Sequence, residues 1–152
     1  MQRIISFLTA ITVTVACAMA QSPIKWRTSL KMTGNAEGTI MMKAIVTDGW
    51  HLYGTNLPKG GPKSTTFDFA QSSDIEFIGA PVPSEKPIEI YDKMFDLKLN
   101  WWAANVTFTQ RFKVTGNSPA IKGTITYMGC NDETCMPPRK EKISLTVPAK
   151  KQ

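Results

Sequence analysis

The chain has 152 residues, 42% of them hydrophobic, and a formal net charge of +6, which is the length of one domain with chain enough to bury a core. Its basic residues are scattered and no stripe mixes them with aromatics, which sets nucleic acid aside as a partner. With a single histidine and no nucleophile motif, hydrolytic chemistry has nothing to build on.

At the amino terminus, Met1-Gln2-Arg3 supplies one positive side chain, an uncharged stretch runs from Ile4 to Val15, and Ala18-Met19-Ala20 has the small-x-small pattern of a signal peptidase site. Residues 1–20 therefore read as a signal peptide cut after Ala20, leaving 21–152 as one exported domain. The apolar run is too short and too interrupted by Thr for stable membrane insertion, which takes about 20 apolar residues. A second reading makes Cys17 a lipidated first residue, because Val15-Ala16-Cys17 partly resembles a lipobox, although Thr14 stands where Leu is usual. Cleavage after Ala20 removes Cys17 and leaves Cys130 and Cys135. An even count in an exported protein predicts that these two pair with each other.

From Ile24 onward the pattern is that of strands. Ile24, Trp26, Thr28, Leu30 and Met32 take every second position, as do Ile40, Met42, Ala44 and Val46, and shorter pairs recur at Val106 and Phe108 and at Phe112 and Val114. Further runs span Thr66 to Phe69, Ile75 to Ile78, Phe95 to Trp101, Gly123 to Met128 and Ile143 to Val147. Breaks fall at Thr33-Gly34-Asn35, Asp48-Gly49, Lys59-Gly60-Gly61-Pro62, Pro81-Val82-Pro83 and Thr115-Gly116-Asn117. Roughly eight or nine short strands with such punctuation predict an all-β, immunoglobulin-like antiparallel β-sandwich. Asn105-Val106-Thr107 matches a glycosylation sequon, but a strand start explains it equally well.

The stretch YMGCNDETCMPP, Tyr127 to Pro138, connects two of these strands and holds both remaining cysteines. A disulfide there closes a ring of six residues and contributes only about 2 kcal/mol in the loop-entropy account. A staple linking distant strands would contribute more, so the pair stands open between a structural link, a metal clip and a redox couple. Gly129 removes a side chain beside Cys130 and so offers close approach to another backbone or protein. Pro137-Pro138 stiffens the exit and denies it two backbone donors. Asp132 and Glu133 place negative charge between the thiols, which raises thiol pKa values by repulsion, while Gly129, Asn131 and Asp132 read equally well as ordinary turn residues.

Tyr127-x-Gly129-Cys130 followed by Cys135-x-Pro137-Pro138 and a terminal strand resembles the amino-terminal periplasmic domain of DsbD, the transmembrane thiol:disulfide interchange protein. Asp48-Gly49-Trp50-His51-Leu52-Tyr53 and the Gly-Pro-rich segment to Pro62 are similar to that family too. The resemblance implies an immunoglobulin-like fold whose one cysteine pair shuttles reducing equivalents between thioredoxin-like redox proteins and exported disulfide-bearing proteins. It makes Cys130 and Cys135 the redox pair, shaped by Tyr127, Gly129, Pro137 and Pro138, with Cys135 facing the partner. It also implies a mobile cap loop bearing aromatics, for which Glu89 to Phe95, with Tyr91 and Phe95, is the candidate. The spacer between the cysteines is one residue shorter than in the best-known members. Through Gln152 the sequence contains no membrane segments or thioredoxin-like domain of the kind that supplies electrons in that family, and the reductant is expected to come from another polypeptide. No cofactor and no resident metal are expected of such a thiol-disulfide oxidoreductase-type electron carrier.

Two other classes of function stand beside this one. Cys130, Cys135, Met128 and Met136 supply soft sulfur ligands of the kind a Cu(I) site uses, and His51 adds a nitrogen if the fold brings it near. Packing is the commoner fate of such methionines, and a structural place in its strand that of His51. A zinc site is left incomplete by two cysteines and one distant histidine. Alternatively, the disulfide is purely structural and the domain is a binding module, with Trp101-Trp102 as an exposed aromatic contact, although buried core is the commoner fate of at least one of those tryptophans.

Overall fold

A computed structural model of the protein describes residues 22–148, so the expected signal peptide, its cleavage site and Cys17 lie outside the described residues. Those residues form eleven strands and no helix. The first layer is built by the alternation seen in the sequence. β1 (Ile24–Met32) pairs antiparallel with β2 (Glu37–Val46), from Ile24 opposite Val46 to Met32 opposite Gly38. With β8 (Val106–Val114) and β5 (Ile75–Pro83) they make a sheet in the order β1-β2-β8-β5. Ile24, Ile40, Met42, Ala44, Phe108 and Phe112 point inward and are fully buried.

Two sequence expectations change in this layer. The pairs Val106/Phe108 and Phe112/Val114 belong to one nine-residue strand, not two. The inward position between them is held by Gln110, a polar residue that interrupts the apolar period. Its Nε2 donates to the carbonyls of Ile78 (3.1 Å) and Gly79 (3.2 Å), where the β5–β8 ladder shifts register. Likewise Pro81-Val82-Pro83, expected to be a break, lies within β5. That strand is at the sheet edge beyond the register shift, where a residue with no N–H is tolerated.

The opposing layer comes in two pieces, which raises the strand count above the expectation. β9 (Ala120–Tyr127), β11 (Arg139–Thr146) and β4 (Thr66–Phe69) form a sheet ordered β11-β9-β4. It closes on the first sheet through aromatic contacts: Trp26 with Phe67 (5.9 Å between ring centroids), Phe67 with Phe108 (4.7 Å) and Phe69 with Phe77 (4.6 Å). Of these rings Phe108 is fully buried, which is worth about 1.5 to 3 kcal/mol, and the half-buried others contribute less each. The exposed Arg111–Glu37 ion pair, at 3.8 Å, lies within the first sheet, between β8 and β2, and is worth less than about 1 kcal/mol. The result is the immunoglobulin-like antiparallel sandwich expected from the sequence.

The second piece, β10 (Gly129–Cys130), β3 (His51–Tyr53), β7 (Leu97–Trp102) and β6 (Ile88–Asp92), is ordered β10-β3-β7-β6. It sends Leu52 and Trp102 into the main core, with Trp102 edge-on to Phe108 at 5.0 Å. Its other face builds a small separate cluster around Tyr53, Leu99 and Cys130. Trp101-Trp102 is therefore not an exposed aromatic pair. Alternation along β7 sends Trp102 inward, 5% exposed, and leaves Trp101 half-buried in the small cluster.

Candidate functional site

Strand β9 carries the chain out of the main core and hands it to the small sheet. Tyr127 ends β9 buried, its ring edge-on to Trp26 at 5.6 Å and its hydroxyl donating to the Ile24 carbonyl (3.4 Å). The β9–β11 ladder begins at Arg139 opposite Tyr127, because Pro138 and Pro137 before it have no N–H to contribute. The Met128 carbonyl accepts instead from Tyr53 N (3.1 Å), and β10 then pairs with β3, Gly129 opposite Leu52 and Cys130 opposite His51. Gly129 is needed for this crossing. A Cβ there would meet Ile24 Cδ1 at 2.3 Å and the His51 carbonyl at 2.6 Å, so of the two approaches the sequence suggested, another backbone or another protein, the room is taken by the backbone of β3 together with the core.

The two cysteines face each other across a miniature hairpin. Cys130 and Cys135 form an isolated antiparallel bridge, flanked by Met136 N donating to Gly129 O (2.9 Å) and Asn131 N donating to Thr134 O (2.9 Å). Asn131 Oδ1 accepts from Glu133 N (3.0 Å) and Thr134 N (2.7 Å) and locks the turn. The cysteines are joined as a disulfide. Its two sulfurs are not equivalent: Cys130 is 1% exposed while Cys135 is half-buried.

Around the disulfide stand groups from four elements. His51 stacks on Trp101 (3.7 Å) and meets Tyr53 edge-on (5.0 Å), and its buried Nε2 has no hydrogen-bond partner. Burial holds its pKa below the ordinary value, against the opposing pull of the Asp92 and Asp132 charges. Tyr53, 1% exposed, donates its hydroxyl to Asp92 Oδ2 (3.1 Å). Burial raises the pKa of that phenol, and the Asp92 charge and hydrogen bond raise it further. Asp92 ends β6, and its Oδ1 accepts from Met94 N (2.8 Å) and Phe95 N (3.2 Å) to form the turn into β7, where Asp96 adopts a φ of 56°. This turn brings Met94 Sδ to 3.6 Å from Cys135 Sγ. A cleft of about 360 Å³ lies between turn and hairpin, lined by His51, Tyr91, Met94, Trp101, Cys130 and Asp132.

The residues singled out in sequence distribute unevenly over this site. Of the cap candidates, Phe95 packs into the small cluster, edge-on to Tyr53 at 6.1 Å, while Tyr91 is exposed, donates to the Asp96 carboxylate and lines the cleft. Met94, between them, touches the disulfide. Of the Cu(I) candidates, His51 and Met128 lie beside the pair, but Met136 packs in the main core, 5% exposed. Among the described residues no three His, Cys, Asp or Glu side chains cluster as metal ligands would. Tyr53 was singled out only as part of the stretch Asp48 to Tyr53, and Asp92 and Met94 only as part of the segment Glu89 to Phe95, none of them for a role of its own. The Tyr53–Asp92 bond spans 39 residues and has no local signature, whereas Asp92 just ahead of Met94-Phe95 is an Asx-turn signal readable in sequence.

The family model described as "Thiol:disulfide interchange protein DsbD, N-terminal" matches residues 20–147. No curated protein matches the sequence. Among solved structures, the N-terminal periplasmic domain of ScsB from Proteus mirabilis superposes with a TM-score of 0.58 at 17% identity, covering 83% of this chain and 47% of its own. The chain thus spans about half the length of that one. The Neisseria meningitidis DsbD n-terminal domain in the reduced form gives 0.52 at 16% identity, covering 79% and 84%. The complex between the DsbD N-terminal and PilB N-terminal domains of the same organism gives 0.50 at 15%, covering 84% and 87%. At these identities the structural likeness is one of fold.

Proposed function

The chain belongs to the family of DsbD N-terminal domains, and from that premise we propose that it passes reducing equivalents between protein partners through the Cys130–Cys135 disulfide. The observation that carries this reading is a disulfide with one sulfur buried and the other half-buried beneath a turn. A partner dithiol attacks Cys135 Sγ as a thiolate, the S–S bond breaks, and Cys130 leaves as a thiolate that takes up a proton. The second partner thiol then resolves the mixed disulfide, so two electrons and two protons enter the pair and the partner is oxidised to its disulfide. Run in the other direction, the Cys135 thiolate attacks an oxidised substrate and Cys130 resolves. The likeness to a domain solved in complex with PilB supports a protein partner, here of thioredoxin-like or disulfide-bearing type.

In this reading Tyr127, Gly129, Pro137 and Pro138 shape the hairpin, and the β6–β7 turn is the cap. The sulfur-sulfur contact of Met94 with Cys135 supports that role for the turn. A periplasmic or otherwise exported domain spanning 21–152, released from a signal at residues 1–20, fits the chemistry, since a disulfide persists in oxidising compartments. Among the described residues no helix is long and apolar enough to cross a membrane.

The test is trapping. Cys130→Ser leaves Cys135 without a resolving thiol, and in cells producing the full chain it is expected to accumulate a mixed disulfide through Cys135 with a discrete exported protein. Absence of any such adduct from both single Cys→Ser variants would assign the disulfide to structure alone.

A further inference from the structure

We propose that Met94 is an oxidation site whose sulfoxide uncovers the disulfide. Met94 is 59% exposed, the one exposed methionine among the described residues; Met32, Met41 and Met128 are half-buried, and Met42 and Met136 are buried. The same side chain lies against Cys135 Sγ, at 3.6 Å. One face of the thioether thus meets solvent while the other covers the half-buried sulfur that a partner must reach.

The backbone holds Met94 in place from behind. Asp92 Oδ1 accepts from its N–H and from that of Phe95, and Asp92 is tied in turn to Tyr53. Chemical change at the Met94 side chain therefore acts on its contact with Cys135 before it acts on the turn. A peroxide transfers one oxygen: its O–O bond breaks, an S–O bond forms at Met94 Sδ, the sulfur is oxidised by two electrons, and the peroxide leaves as water or an alcohol. The thioether becomes a polar, chiral sulfoxide that gains more from water than from an apolar disulfide. Loss of that contact frees the approach to Cys135. The cysteines are already oxidised in this state, so the peroxide has no thiol of the pair to consume.

The consequence for partner exchange rests on the function proposed above, but the site itself does not. The experiment treats the disulfide-bonded protein with hydrogen peroxide, maps the added oxygen by peptide mass, and follows reduction of the disulfide by excess dithiothreitol. Met94 is expected to take up oxygen ahead of every other methionine of residues 22–148, with the reduction rate rising at least about threefold. Met94→Leu, which keeps an apolar cover, should reduce near the untreated rate and lose the response to peroxide. Met94→Gln, a polar mimic, should be fast without peroxide. Oxidation of another of these methionines first, or a Met94 sulfoxide with an unchanged reduction rate, overturns the proposal. Dithiothreitol reads access to the sulfur with no partner protein present, so failure here leaves the trapping experiment to judge exchange by itself.

Discussion

Replacing Asp92 with alanine is expected to open the turn over the disulfide more than it unfolds the sandwich. Asp92 is 7% exposed and accepts three hydrogen bonds, from the Tyr53 hydroxyl (3.1 Å), Met94 N (2.8 Å) and Phe95 N (3.2 Å). The two backbone bonds resemble those of a capping side chain, whose loss costs about 1 kcal/mol. Tyr53 is 1% exposed, so its hydroxyl left unpaired costs about 1 to 3 kcal/mol more. Of this sum, about 2 kcal/mol falling on the open–closed balance of the turn would speed attack on Cys135 about 30-fold, since each 1.4 kcal/mol is a factor of ten. The assay is the pseudo-first-order rate of disulfide reduction in excess dithiothreitol, with the urea midpoint measured in parallel. Asp92→Asn retains an acceptor for the two backbone donors and should rise only a few-fold. A rate unchanged in Asp92→Ala, or one that rises only in proportion to global unfolding, refutes the role given to this carboxylate.

Other perturbations follow from the same geometry. His51 has its pKa held below the ordinary 6.5 by burial, so the unfolded chain takes up more protons than the folded one as pH falls through 6.5, and stability drops there. His51→Phe keeps the stack on Trp101 without a titrating nitrogen; its Tm should fall less than that of the unaltered protein between about pH 7.5 and 5.5. Gly129→Ala drives a Cβ into Ile24 and the His51 carbonyl and should cost about 3 kcal/mol by urea unfolding, because a backbone atom cannot step aside as a side chain does. Removing both cysteines as Cys130→Ser/Cys135→Ser should cost only about 2 kcal/mol, the entropy of a six-residue ring, and leave the fold recognisable by circular dichroism. A larger loss would mean that the hairpin is part of the folding core.

Alternation made much of the sandwich legible. Ile24 to Met32 and Ile40 to Val46 read as half-buried strands because their inward residues are apolar without exception or nearly so. The same rule failed at β8, where Gln110 occupies an inward site and satisfies its amide on three carbonyls, of Ile78, Gly79 and Arg111, that no sequence pattern announces. It failed again at Pro81-Val82-Pro83, because prolines read as breaks unless the strand is known to be at an edge. The cysteine pairing was legible from count and compartment, and Asn131 to Thr134 from turn chemistry. What surrounds the pair was legible only as a candidate segment, Glu89 to Phe95, and as His51 and Met128 named for a metal site, not as particular contacts. His51 reaches Cys130 through strand pairing, Tyr53 reaches Asp92 across 39 residues, and Met94 reaches Cys135 across 41, and such contacts are set by register rather than by any local composition. Gly129 shows the same limit: its missing side chain was visible, but only the packing of Ile24 against it tells which neighbour needs the room.

The central claim, a working redox couple at Cys130 and Cys135, is tested most directly by the reduction potential of the pair. The protein is equilibrated in glutathione or dithiothreitol buffers of known poise and its free thiols are counted. A value between about −180 and −270 mV is predicted, within the range of proteins that exchange disulfides; one below about −300 mV would mark a structural link and contradict the account.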